Sequence, residues 1–364
     1  MDEYLKQLSI CIVNFNGQEY LPACLDAIQS SNIGPREIIV VDSASEDSSA
    51  DLVARDFPQV KLIRLSENRG PGAARNAAWA ESTGGYVLFV DNDVHVTLGC
   101  VEKLMAAILR DPKTAVAMPR VCYADRTDTI QYDGAGCHPT GLMTLYNHNV
   151  AIADAGTSER FMHSVVTACI LVDKGELRMG EPFDESFFFN YEDHDFGIRC
   201  SLSGHRIISV PAALCYHGGG TEGLSYRKGG VYTNRRMYHL IRNRWQILLK
   251  DYQLRTLFVL SPMLLLFEIF QLGGLVAKGW GVQWVKSAWW IFRHLPEILQ
   301  KRHIVQQNRK VADMELFDIV PLPLTDRMAG GRLSSGAIRL LDRVLLSYWK
   351  LIHNVPWKRV HSRD

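Results

Sequence analysis

The chain of 364 residues carries two groups of acids whose spacing could do chemistry. Asp91 and Asp93 stand one residue apart, directly behind the apolar run Tyr86-Val87-Leu88-Phe89-Val90. Carboxylates that close repel each other, and a cation between them relieves the repulsion. Oxygen ligands serve a hard divalent metal carrying phosphate; the alternative is an Asp-rich turn that closes a strand. The second group is Glu192-Asp193-His194-Asp195, behind Phe187-Phe188-Phe189 and ahead of helical spacing at Phe196, Ile198 and Leu202. A helix starting near Glu192 would help hold these acids ionised through its N-terminal dipole. A carboxylate beside an aromatic wall suits a general base. The alternative there is a helix cap whose acids pair with Arg199. A third feature, Tyr216-His217-Gly218-Gly219-Gly220-Thr221, sets an imidazole in a glycine-rich turn beyond a strand. It reaches a metal only if that turn folds back over Asp93.

The elements that must position these groups follow from hydrophobic patterning. Leu8–Val13, Glu37–Val41, Val60–Leu65 and Tyr86–Val90 read as buried strands. Gln18–Gln29 and Pro71–Glu81 read as helices between them, and Ser45-Glu46-Asp47-Ser48 opens a third with capping residues and first-turn acids. This alternation implies an α/β fold with a mixed, mainly parallel sheet and helices on both faces. On such sheets ligands bind beyond the carboxyl ends of the strands. Polar residues gather there: Asn14 and Asn16, then Asp42, then Asn68, then Asp91 and Asp93. They suit a ribose, a base and a diphosphate, and no G-x-G-x-x-G follows the first strand, which disfavours a dinucleotide fold. Val101–Leu109 reads as a helix, Tyr123–Gly156 as loops around a substrate, and Val165–Val172 and Arg206–Val210 as further strands. His138, His148 and His163 read as loop residues and His194 as a helix-surface residue.

Composition narrows the class. A net charge of +1 gives no sign of a nucleic-acid partner. The eight cysteines include no C-x-x-C pair and lie mostly in apolar runs, as reduced buried thiols of a cytosolic protein do. The N-terminal residues lack the basic start and apolar core of a signal peptide, which places the catalytic part in the cytosol.

Taken in order, the motifs resemble the inverting family 2 glycosyltransferases of the GT-A fold, in particular the rhamnosyltransferase-like branch. The resemblance runs through Ser9–Gly17, Val40–Ser48, Glu67–Asn76, Asp91-Asn92-Asp93, Phe183-Asp184-Glu185 and Glu192–Asp195, covering roughly residues 8–220. Ser-Ala-Ser follows Asp42 where the family often has Asn-Gly/Ser-Ser. The resemblance implies a nucleotide-sugar site built from Asn14, Asn16, Asp42, Asn68, Arg75 and Asp91. It also implies Mg²⁺ or Mn²⁺ held by Asp93, Asp91 and His217, and a catalytic base at Asp193 with Glu192 as the neighbouring alternative. The donor would be a nucleotide-diphosphate sugar. The acceptor would be a glycan or a polyprenyl-diphosphate-linked molecule, in cell-surface polysaccharide synthesis at the cytoplasmic face of the membrane. A sugar-1-phosphate nucleotidyltransferase would need a basic glycine-rich loop, and Val13–Gly17 has no Lys or Arg. A non-catalytic membrane-docked scaffold would not need intact acids at both sites.

The C-terminal third adds membrane signals. Arg227, Lys228, Arg235, Arg236, Arg242, Arg244, Lys250 and Arg255 read as a basic approach. Thr256–Ala277 has one ionisable side chain, Glu268, and is long enough to cross about 30 Å of hydrocarbon. Four tryptophans follow at 280, 284, 289 and 290, and basic residues resume at Arg293. Basic flanks on both sides favour a hairpin or an in-plane helix pair over a single span. The alternatives are a packed helical subdomain or the interface of a homo-oligomer. Gly330-Gly331 reads as a hinge and Ile338–Ile352 as an amphipathic helix, interfacial or bundled. The partition is 1–225 catalytic domain, 226–255 basic helical connector, 256–325 membrane-associated helices and 326–364 amphipathic helix.

Overall fold

The computed structural model describes residues 1–31, 33–178, 180–220, 232–323 and 332–353. Arg227, Lys228, Thr221 and the Gly330-Gly331 hinge lie outside them. The strands are β1 (Leu8–Asn14), β2 (Glu37–Asp42), β3 (Lys61–Arg64), β4 (Tyr86–Asp91), β5 (Val94–Val96) and β6 (Thr114–Tyr123). After them come β7 (Ile130–Tyr132), β8 (Ala135–Cys137), β9 (Met143–Leu145), β10 (Arg160–Met162), β11 (Cys169–Asp173) and β12 (Arg206–His217). The helices begin with α1 (Asp2–Leu5), α2 (Leu21–Ser30), α3 (Ser49–Asp56), α4 (Pro71–Glu81), α5 (Cys100–Leu109) and α6 (Lys174–Leu177). They continue with α7 (Glu192–Leu202), α8 (Asn234–Asp251), α9 (Leu254–Ala277), α10 (Gly281–Gln307) and α11 (Arg332–His353).

The main sheet runs β10-β12-β6-β11-β4-β1-β2-β3. Neighbours β4, β1, β2 and β3 are parallel, whereas β11 is antiparallel to both β4 and β6. Alternation along the strands supplies two cores. Ile10, Ile12, Leu88 and Val90 face one side, and Cys11, Val87 and Phe89 the other. Both faces are therefore covered, as a sheet of near-continuous apolar strands requires. Pro71 in the first turn of α4 and the small residues Gly72, Ala73, Ala74 and Ala78 let that helix lie close on β1 and β2. Gly70, at φ +91°, has no substitute: a Cβ there would sit 1.9 Å from the Phe188 carbonyl oxygen. That contact joins the loop before α4 to the loop before α7.

Four readings need correction. The Tyr123–Gly156 stretch carries β7, β8 and β9, strands too short for periodicity to show. The strand expected to end at Val210 continues to His217, because a bulge between Val210 and Leu214 absorbs Pro211. His217 is thus the last residue of a strand and not a turn residue, paired with Val94. His194 is fully buried and hydrogen-bonds Ser164 through Nδ1, instead of lying on the helix surface. Arg242, Arg244 and Lys250 form no basic approach: they are buried on the inner side of α8. Arg242 donates to the Phe187 carbonyl, Arg244 to the Thr140 carbonyl, and Lys250 pairs with Asp184 and Asp195.

A third core joins this helical layer to the half that carries the sheet. Ile198 and Leu202 of α7 pack with Ile247, Leu260, Phe267, Leu345 and Trp349 of α8, α9 and α11. Among the described residues, α9 is the one helix long and apolar enough to cross a membrane. All eight cysteines are buried free thiols.

Candidate active site

Beyond the carboxyl ends of β1 and β4 lies a cleft of about 1590 Å³, larger than a site for one small ligand requires. Asn14, Asn68, Arg75, Asp91, Asp93, Glu192, Asp193 and His217 all line it. The chain brings these eight together from five segments. Asn16 and Asp42 are not among the lining residues and stand behind Asn14. Asn14 donates Nδ2 to Asp42 Oδ1 and Ser49 Oγ, each at 2.8 Å, and accepts from Asn92 Nδ2 at 2.7 Å. Asp42 is held in turn by the Ser45 amide and hydroxyl. Asn16 takes a positive φ and accepts from the Glu46 amide. Asn14 is thus fixed by its neighbours at the end of β1, and Asp42 and Asn16 lock the two loops around it.

Asp91, Asp93 and His217 place one ligand atom each within 4.8 Å of one another. Asp91 ends β4, Asp93 sits in the turn to β5, and the pairing of β5 with β12 brings His217 alongside. His217 Nδ1 lies 2.9 Å from Gln131 Oε1, an acceptor, so the proton belongs on Nδ1. Nε2 then turns its lone pair toward Asp93 Oδ1 at 3.2 Å. Two electron-rich atoms that close call for a cation or a proton between them, so the donor set fits a divalent ion. Gln131 lies in β7, and nothing in the sequence marks it apart from its neighbours Ile130 and Tyr132. Asn92 is equally silent there, since it lies between the two acids that draw attention.

The acid cluster of α7 divides its labour. Asp195 is buried and pairs with Arg199 at 2.8 Å and with Lys250, the structural role foreseen as the alternative for these acids. Glu192 and Asp193 turn to the cleft. Arg75, buried in α4, donates Nη2 to Asp91 Oδ1 at 2.6 Å and Nη1 to Glu192 Oε1 at 3.4 Å. It therefore ties the metal-type cluster to the acid pair. Burial pushes Glu192 up, reinforced by the Asp193 charge. Burial also pushes Asp193 up, to about 6, while hydrogen bonds from the His194 and Thr167 backbone oppose the rise. Removing Arg75 would leave the half-buried Asp91 carboxylate and the buried Glu192 without their shared cationic partner. Arg75→Met is expected to cost roughly 3–5 kcal/mol of stability, read as a lower midpoint of urea unfolding at neutral pH. A midpoint equal to wild type would contradict the bridging role.

The opposite wall holds the aromatics expected beside the acids, together with α8 and α9 residues that the sequence did not point to. It is made by Phe188, Phe189 and Tyr191 before α7, by Leu240 and Arg244 of α8, and by Gln271 of α9.

A family model described as Glycosyl transferase family 2 matches residues 9–158. An N-acetylglucosaminyltransferase of Rhizobium meliloti is 32% identical over 223 residues, which is 58% of this chain and 50% of that protein. An N-acetylglucosaminyl-diphospho-decaprenol L-rhamnosyltransferase of Mycobacterium tuberculosis is 23% identical over 234 residues, 58% of this chain and 75% of that protein. The chain spans half or less of the length of most curated relatives it matches. Among solved structures, S. aureus TarS 1-349 in complex with UDP-GlcNAc aligns with a TM-score of 0.51 at 16% identity. That alignment covers 95% of this chain and 90% of the other, a likeness of fold. The family's domain is matched across residues 9–158, which carry Asn14, Asn68, Arg75, Asp91 and Asp93 of the cleft, and this part of the chain is a family 2 glycosyltransferase domain on a GT-A fold.

Proposed function

We propose that the protein transfers a sugar from a nucleotide-diphosphate donor to a hydroxyl of a glycan or polyprenyl-diphosphate-linked acceptor, with inversion, in cell-surface polysaccharide synthesis. The observation that carries this reading is the convergence of Asp91, Asp93 and His217 on the cleft that Asp193 also lines. Asp91, Asp93 and His217 would hold Mg²⁺ or Mn²⁺, which when bound neutralises charge on the diphosphate. Asn14, supported by Asp42 and Asn16, and Asn68 face the nucleoside. Arg75 keeps Asp91 aimed and holds Glu192 against it. Asp193 accepts the proton of the acceptor hydroxyl as its oxygen bonds to the anomeric carbon. The bond from that carbon to the diphosphate breaks, and the nucleoside diphosphate leaves. One base and one displacement invert the anomeric centre.

The matched M. tuberculosis protein acts by name on a decaprenol-linked diphosphate, which supports a lipid-linked acceptor and membrane association at the cytoplasmic face. Residues 1–225 would form the catalytic unit, 226–255 its connector, 256–325 the membrane-associated helices and 326–364 a terminal amphipathic helix.

Purified protein screened for thermal shift against UDP-, GDP- and dTDP-sugars, with Mn²⁺ or with EDTA, tests this reading. A shift with one nucleotide class that requires the metal is expected. No shift with any donor would leave a scaffold. Gln131→Leu removes the group that orients His217, and is expected to weaken Mn²⁺ binding about 10–100-fold, measured by titration in the presence of the donor. Unchanged affinity would remove His217 from the ligand set.

A further inference from the structure

The helices behind the cleft leave apolar surface uncovered. Along α9, Leu254, Phe258, Leu265, Ile269 and Val276 recur at helical spacing and are all exposed, Phe258 at 80%. On α10, Val282, Val285, Trp289, Phe292 and Leu299 form a second stripe, and on α11, Leu340, Val344 and Leu351 form a third. α9 contacts both of the others. Monomeric proteins seldom leave so much apolar surface to water.

We propose that the outer faces of α9, α10 and α11 dock in the plane of an anionic lipid leaflet without crossing it. The proposal adds a mode of attachment to the membrane association suggested above, and it does not depend on the transfer chemistry.

Length alone would let α9 span, since 24 residues reach about 36 Å. Its inner side argues against that. Thr256, Leu260, Met263, Phe267 and Leu275 are buried against the protein from one end of the helix to the other. Glu268 is clamped there: Oε2 accepts from Arg244 Nη1 at 2.9 Å and Trp245 Nε1 at 3.1 Å, and Oε1 from Trp284 Nε1 at 2.8 Å. Tyr348 of α11 donates to the Val259 carbonyl at 2.6 Å. A spanning α9 would break these bonds and carry a carboxylate into hydrocarbon. An in-plane helix keeps them and sinks only its outer face.

Charge selects the occupant. Arg255, Lys286, Arg293, Arg339, Arg343 and Lys350 are exposed on these helices, and Glu297 is the one exposed acid on them among the described residues. A second copy docked through the same face would set basic residues against basic residues. An anionic headgroup layer meets them with opposite charge. Gln271, on the inner side of α9, lines the cleft, so docking would set the cleft about one helix diameter, 10–12 Å, from the headgroups.

The test is co-sedimentation of the full chain with phosphatidylcholine vesicles, with and without phosphatidylglycerol. Binding is expected to be at least about tenfold tighter with the anionic lipid and to be released by alkaline carbonate. The double variant Phe258→Asp/Trp289→Asp is expected to lose binding about tenfold or more while keeping the donor-induced thermal shift of wild type. If that variant does not fold, Lys286→Glu/Arg293→Glu decides, with the loss confined to anionic vesicles. Retention of that shift separates failure of docking from failure of the donor site. Carbonate-resistant binding to neutral vesicles would mean a spanning helix and overturn the proposal. A dimer that either variant dissolves, or vesicle binding unchanged in both, would overturn it as well.

Discussion

Asp193→Asn is expected to lower transfer by about 10²–10⁴-fold while donor binding stays at the wild-type level. The amide keeps the shape of the side chain and cannot take a proton. Glu192 is the weaker candidate, because it sits against Arg75 and burial favours its protonated form at neutral pH. Burial pushes Asp193 up less, to about 6, so its carboxylate form is favoured at pH 7. The pH profile follows from the sign of that shift. If the carboxylate form does the work, the rate is level well above pH 6, about half its plateau near pH 6, and falls further as pH drops below the raised value. Glu192→Gln should keep that acid limb. Steady-state rates with saturating donor, taken across pH for wild type and both variants, check the assignment. A near-wild-type rate in Asp193→Asn would move the base elsewhere.

Asp93→Ala is the second large effect. It is expected to abolish metal-dependent donor binding and to reduce transfer by roughly a thousandfold, the size of effect that loss of electrostatic stabilisation at a leaving group produces. Asp91 already has a partner in Arg75, whose guanidinium shares its charge. Asp93 faces His217 Nε2, so its carboxylate is the one a cation would most directly serve. The backbone of the turn does not rely on the side chain, because the Gly218 amide donates to the Asp93 carbonyl at 2.8 Å. Titration of donor with and without Mn²⁺ separates lost metal binding from lost folding. A variant that still turns over with a metal requirement would contradict the ligand assignment.

Much of the sheet-bearing half was legible because its signals are local. Pro71–Glu81 forms the helix its spacing predicts, and β1, β2 and β4 end on Asn14, Asp42 and Asp91. These apolar strands need only near neighbours to be recognised. What was not legible depends on partners far along the chain. The path of β12 past Pro211 rests on pairing with β5 and β6, and only that pairing places His217 beside Asp93. Arg244 looked like part of a basic flank, yet its partners are Thr140 and Glu268. Lys250 is likewise drawn inward by Asp184 and Asp195. A basic residue buried by distant acids has the same local sequence context as one facing solvent.

The reading rests most directly on a single displacement at the anomeric carbon, with Asp193 as base. Proton NMR of the reaction with the donor identified by thermal shift follows that carbon in both donor and product. The expected result is a product whose anomeric configuration is opposite to that of the donor, formed only while the divalent metal is present. A product that keeps the donor's configuration would contradict the single displacement and the role given to Asp193.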